Sequence, residues 1–116
     1  MGKLETIVQG TEHTIRLTVL DDSTSVAIDV RAWDLFFTLK RNYTDTIALI
    51  SKTNTDMDIL GTGHNIIDIP LLYTETNLPL GRYYFDVKAT NNSGTISLLP
   101  PQLLEIVYSV TDPTMY

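Results

Sequence analysis

Apolar and polar residues alternate along most of this chain, and a period of two is what a strand with one buried and one solvated face requires. Residues 33–41 show it best, with Trp33, Leu35, Phe37 and Leu39 set against Asp34, Phe36, Thr38 and Lys40. The same pattern puts Ile15, Leu17 and Val19 on one face of residues 13–20, and Tyr83, Phe85, Val87 and Ala89 on one face of residues 82–89. Shorter candidates are residues 4–8, residues 26–30 with Ile28 and Val30 on one side, and residues 46–51, where Ile47 and Leu49 oppose Ala48 and Ile50. Residues 65–71 form another, in which Pro70 marks a sheet edge or a strand end because it cannot donate to a ladder. A last strand over 103–110, after a stop at Pro100-Pro101, turns Leu104, Ile106, Tyr108 and Val110 inward.

Between these runs lie turn residues. Gly10, the segment Asp21-Asp22-Ser23-Thr24-Ser25, Asn42-Tyr43-Thr44-Asp45, Leu78-Pro79-Leu80-Gly81 and Asn91-Asn92-Ser93-Gly94 all read as chain reversals. Residues 52–64, rich in Thr, Asp and Gly, read as a long loop or a frayed hairpin, and residues 71–77 carry the one short helical alternative. Seven or eight short strands at such spacing predict an all-β sandwich. The stretch Leu78-x-x-Gly81-x-Tyr83 fits a tyrosine corner, in which a Tyr hydroxyl bonds back to the backbone where a late strand begins; a large core residue reaching the rim fits equally well.

Composition narrows the function more than the fold. The 116 residues are expected to form one domain spanning 1–116, with a short tail over about 111–116. The chain has no cysteine, which removes disulfides, thiolate metal sites and a cysteine nucleophile together. A net charge of −6, with eight scattered Lys and Arg, argues against a nucleic-acid partner. No apolar run approaches the roughly 20 residues of a spanning helix, so no membrane partner is expected.

Catalytic chemistry is sparse. His13, between Glu12 and Thr14 at a strand start, and His64, within Gly61-Thr62-Gly63-His64-Asn65, are the two residues suited to act as a base near neutral pH, and neither has a nucleophile or second ligand in recognisable spacing. The Gly61-Thr62-Gly63 stretch lacks the Lys and Ser/Thr of a phosphate loop. Asp56, Asp58 and Gly61 begin like a calcium loop, but Leu60 and Ile67 occupy ligand places. The sequence therefore predicts a protein that is not an enzyme and holds no cofactor and no metal. Trp33, or a set of Tyr43, Tyr73 and Tyr84, could serve a carbohydrate-binding module instead.

Two aromatics break the core pattern. Phe36 and Tyr84 fall on the outward face, beside Ile50, Leu103 and Val107 if those also point out. Such residues either form an apolar contact patch for a protein partner or are covered by a loop. In the tail, Pro113 prevents extension of a sheet, and Met115 and Tyr116 are suited to anchor a partner.

The segments "IVQGTEHTIRLTV", "AIDVRAWDLFFTLKR", "IIDIPLLYTETNLPLGRYYFDVKAT" and "LLEIVYSVTD" together resemble the small immunoglobulin-like domains of tailed-phage virion proteins, such as the N-terminal domain of baseplate upper proteins. Gly10, Asp29-Val30, Lys40, Gly81 and Tyr83 are the matching positions, while Val30-Arg31-Ala32 replaces the family's Leu-Thr-Gly. The resemblance implies an immunoglobulin-like antiparallel β-sandwich and a structural role in the virion, at the baseplate, neck, tail or capsid surface. Its partners would be other virion structural proteins in a symmetric multi-copy assembly, and it brings no catalytic residues.

Overall fold

A computed structural model describes residues 5–108 apart from 22, 43 and 93. Eight strands are present among them: β1 (Glu5–Val8), β2 (His13–Thr18), β3 (Asp34–Lys40), β4 (Ile50–Thr53), β5 (Asp58–Leu60), β6 (Ile66–Leu71), β7 (Gly81–Asn91) and β8 (Gly94–Val107). They form a five-stranded sheet in the order β1-β8-β7-β3-β4 and a three-stranded sheet in the order β2-β6-β5. The run β8-β7-β3-β4 is the G-F-C-C′ order of a variable-type immunoglobulin sheet, and β2-β6-β5 is B-E-D. The protein is thus an immunoglobulin-like β-sandwich. Its pairs are antiparallel except β1 with β8, which run parallel from Glu5↔Leu104 to Val8↔Val107.

The alternating positions meet between the sheets. Leu35, Phe37 and Leu39 on β3 and Tyr83, Phe85, Val87 and Ala89 on β7 are all buried, facing Ile15, Leu17, Ile67, Ile69 and Leu71 of the smaller sheet. Phe37 and Phe85 pack with ring centroids 5.6 Å apart. The core therefore needs no cystine: Phe85 sits two residues after Tyr83, where antibody domains carry the second cysteine of the inter-sheet disulfide.

The tyrosine corner is formed. Tyr83 is 1% exposed, and its hydroxyl donates to the Pro79 carbonyl at 2.6 Å. Above the ring, the Arg41 guanidinium lies 4.9 Å from the centroid. Gly81 makes that approach possible, because a Cβ there would stand 2.9 Å from the Arg41 Nη1, and its φ of +136° disfavours any side chain. Tyr83→Phe keeps the ring and strands the Pro79 carbonyl, so it is expected to cost about 1–2 kcal/mol in urea denaturation. A change under about 0.5 kcal/mol would show that water replaces the hydroxyl.

Several expectations are corrected. Residues 26–30 are not a strand: they hold a single bridge, Leu20↔Ala27, because their backbone groups serve the surrounding turns, Asp21 N–H donating to the Val26 carbonyl and Val30 N–H to the His64 carbonyl. Residues 46–51 shift to Ile50–Thr53, with Ile47 and Leu49 exposed and Ile50 buried. The pairing Leu39↔Ile50 puts Ile50 beside an inward Leu39, and a one-residue slip in register exchanges every face.

The stop at Pro100-Pro101 does not occur either. β8 passes through both prolines, because its pairing with β7 steps from Phe85↔Gln102 to Val87↔Leu99 and then to Lys88↔Ser97, absorbing an extra residue at each step. Among the described residues β1 pairs only with residues 104–107, so the prolines lie on a stretch of β8 with one described neighbour, where a missing N–H costs no ladder bond. Tyr108 lies beyond the strand and is 74% exposed rather than inward. Trp33 precedes β3 and is half-buried rather than central to the core. Asn54 clamps this entry, donating to the Trp33 carbonyl at 2.7 Å and accepting from the Leu35 N–H at 2.8 Å.

The remaining segments take the alternatives left open. Residues 52–64 form the end of β4, a 3-10 turn at Asn54–Asp56 and a hairpin from β5 into β6. Pro70 is the penultimate residue of β6, past the reach of β5, which pairs only with residues 66–68. Residues 72–76 make one helical turn, with Thr76 N–H donating to the Leu72 carbonyl at 3.0 Å.

Candidate partner-binding face

The outer face of the five-stranded sheet is built from residues that alternate with the core. β3 contributes Asp34, Phe36, Thr38 and Lys40, β7 contributes Arg82, Tyr84, Asp86 and Lys88, and β8 contributes Leu103, Glu105 and Val107. Register arranges them in rows. Phe36 is flanked by Thr53 and Lys88, Thr38 by Ser51 and Asp86, and Tyr84 by Lys40 and Leu103. Beyond Tyr84, Arg82 pairs with Glu105, their charged groups 3.9 Å apart, and the last row joins Val107 to Val8.

The structure therefore places Phe36 and Tyr84 on one face but not side by side. They sit two same-face positions apart along the strands, roughly 13 Å, with the Thr38–Asp86 row between them. Phe36 is 41% exposed, while Tyr84 is half-buried. Of the residues expected beside them, Leu103 and Val107 do point out, and both are half-buried; Ile50 is buried on the opposite face and does not belong to the patch. A shallow cleft of about 180 Å³ lies beside Tyr84, lined by Thr38, Lys40, Tyr84, Phe85, Asp86, Lys88 and Pro101. The face is thus an aromatic surface set among three basic residues, Lys40, Arg82 and Lys88, and three acidic ones, Asp34, Asp86 and Glu105, suited to a partner that offers apolar side chains with charges of both signs between them. The lysines escaped sequence reasoning because alternation tells which residues point out and not which of them are neighbours.

Met115 and Tyr116, offered as tail anchors, lie outside the described residues, as does Tyr43. Tyr73 is 61% exposed in the turn after β6, away from Tyr84 on the sheet face. Of the tyrosines proposed for a sugar platform, the two described ones therefore lie on different elements, one in a turn and one on β7.

The histidines are also apart. His13 opens β2 with Nε2 3.5 Å from the Glu5 carboxylate. His64 lies in the turn before β6, a tightly packed segment in which a Cβ on Gly63 would fall 2.6 Å from the Ala27 methyl. Beside that turn, hydrogen bonds from the Arg31 side chain and backbone hold the Asp29 carboxyl at about 2, with a smaller contribution from His64. On the outer face of the small sheet, Asp68 accepts two hydrogen bonds from Arg16 at 2.6 and 2.8 Å, which lower its pKa. Both pairs tie surface loops and strands together. Among the described residues no group of three or more His, Asp or Glu side chains could hold a metal ion, and the Asp56 carboxylate accepts from the Thr53 N–H at the 3-10 turn.

No protein-family model matches this chain, and no curated protein matches it. Similar solved structures include the ZIG-8–RIG-5 IG1–IG1 heterodimer, at 12% identity and a TM-score of 0.44 over 92% of this chain and 83% of that one. Another is AggA, the major subunit of aggregative adherence fimbriae type I from Escherichia coli, at 12% identity and a TM-score of 0.33 over 93% of this chain and 91% of that one. What identifies the fold is the strand order and pairing: the chain is an immunoglobulin-like β-sandwich with a G-F-C-C′ sheet whose outer face carries an exposed aromatic.

Proposed function

We propose that this protein is a non-enzymatic binding module that docks partner proteins on the outer face of its five-stranded sheet, and that those partners are structural proteins of a phage virion. The observation that carries the binding reading is Phe36. It lies on a strand with neighbours on both sides, flanked by Thr53 of β4 and Lys88 of β7, and its ring stands 41% exposed on the sheet face that also carries Lys40, Lys88 and Tyr84. A large aromatic held rigidly in such a position loses little conformational freedom on binding and buries a large area, which is how interface anchors act. The virion reading is supported by the sequence resemblance to immunoglobulin-like domains of tailed-phage proteins.

Phe36→Lys tests both parts. The variant is expected to keep its melting temperature within about 2 °C, because the side chain leaves the core untouched. It is also expected to be depleted from purified particles at least about tenfold, as measured by quantitative mass spectrometry against the unmodified chain. Normal incorporation of Phe36→Lys would move the contact off this face. A protein abundant in infected cells and missing from particles would remove the virion reading and leave a binding module with another partner.

A further inference from the structure

Constant-type immunoglobulin sandwiches have a first strand, A, on the sheet that holds B, E and D. Here β1 lies on the other sheet, beside β8, and β2 is left as an edge. Its ladder is one-sided. β2 pairs with β6 along its whole length, and among the described residues nothing pairs with its other side. The Val19 N–H donates to the Asn65 carbonyl on the β6 side, so by alternation the amides of Thr14, Arg16 and Thr18 point to the open edge.

The gap continues across the sandwich. Among the described residues β1 covers only residues 104–107 of β8, and residues 94–101 of that strand have β7 on one side and no described neighbour on the other. Between this stretch and β2 run two adjoining clefts of about 730 and 640 Å³, sharing Leu17, Thr18 and Leu98 as lining. Val19, Ile28, Trp33, Ile96, Leu98 and Leu99 line them, each only half-buried. This is why Trp33 falls short of the burial its pattern predicts. On the β8 side, Pro100 and Pro101 cannot donate to an added strand, whereas β2 offers alternate N–H and C=O groups. Three charged residues line the clefts: Arg16, which is already held by Asp68, Glu5 in one cleft and Asp21 in the other, where hydrogen bonds from Ser23 and Thr24 lower the pKa of the Asp21 carboxyl.

We propose that this groove is a second binding site, which accepts an extended segment of a partner protein by strand addition to β2. The segment is five to seven residues long by the length of the edge, apolar at alternate positions and flanked by Lys or Arg. Its backbone completes the β2 ladder at Thr14, Arg16 and Thr18. Its alternate side chains cover Leu98, Leu99 and Trp33, and its basic ends meet Glu5 and Asp21. This is the general mode of β-augmentation, in which backbone bonds give affinity and alternate pockets give specificity. The site is independent of the Phe36 face, from which it differs in strand and chemistry.

The test uses the full chain and a displayed library of random nonapeptides, with one enriched peptide then synthesised. Enrichment of alternating apolar sequences with basic flanks is expected, and the synthetic peptide should slow hydrogen exchange of the Thr14, Arg16 and Thr18 amides. Thr18→Pro removes one edge donor and should weaken binding at least about tenfold. Leu98→Lys leaves every backbone bond in place, puts a cation in the groove and should do the same, which guards against a folding defect in the proline variant. Phe36→Lys should bind the peptide normally. Enrichment without alternation, binding by either groove variant as tight as by the unmodified chain, or loss of binding in Phe36→Lys would each overturn the proposal. So would amides already protected in the free chain, whether by its own residues before Glu5 or by a second copy at higher concentration.

Discussion

Replacing Phe37 with Ala is expected to lower the melting temperature by roughly 12–30 °C, while Phe36→Ala, one position away, leaves it nearly unchanged. Phe37 is 1% exposed, lies on a strand flanked by β4 and β7, and stacks on Phe85. Truncation of a buried Phe to Ala costs about 3–5 kcal/mol, part in lost transfer energy and part in the cavity left behind. Against a total stability of roughly 5–15 kcal/mol, that is a large share. Trp33→Ala, although it removes a larger ring, should cost less than Phe37→Ala, since Trp33 is half-buried in the groove wall. Calorimetry of the three variants ranks them. A Phe36→Ala effect equal to that of Phe37→Ala would reverse the assignment of faces, and with it the binding surface.

The second large effect is expected at an ion pair that is easy to overlook. Lys52 is on the inner side of β4, 8% exposed, and its Nζ donates to Glu75 Oε1 at 2.6 Å. The same oxygen accepts the Leu72 N–H at 2.9 Å, so Glu75 both neutralises the lysine and closes the turn after β6. Glu75→Ala strands an ammonium in a nearly dry position and frees a backbone donor, and should cost about 2–4 kcal/mol in urea denaturation. Lys52→Met should cost less, because the apolar replacement fills a similar volume and leaves Glu75, the more exposed partner, to water. The double variant Lys52→Met with Glu75→Ala should then be more stable than Glu75→Ala alone. A loss below about 0.5 kcal/mol for Glu75→Ala would mean that the lysine reaches solvent by another route.

The faces of β2, β3 and β7 were legible in the chain because alternation is a local property: once a strand forms, its period of two decides which side chains point inward. Tyr83 was legible for the same reason, since Leu78, Gly81 and the hydroxyl acceptor Pro79 all lie within five residues of it. Both aromatics proposed for the outer face, Phe36 and Tyr84, also followed from alternation.

Tertiary structure decided whatever depends on a distant neighbour. Ile50 points inward because Leu39 does, and residues 46–51 by themselves satisfy either register. β8 continues through two prolines because, among the described residues, the strand that would have required their N–H groups covers only its last four residues. Lys52 is buried because Glu75, 23 residues on, meets it at the end of the sandwich, whereas hydropathy assigns any lysine to solvent. The groove beside β2 exists because β1 pairs in parallel with β8 and not with β2, a choice between two sheets to which a five-residue run of alternating residues contributes nothing. Sequence periodicity selects a face, and pairing selects the neighbour; the binding surfaces of this protein depend on both.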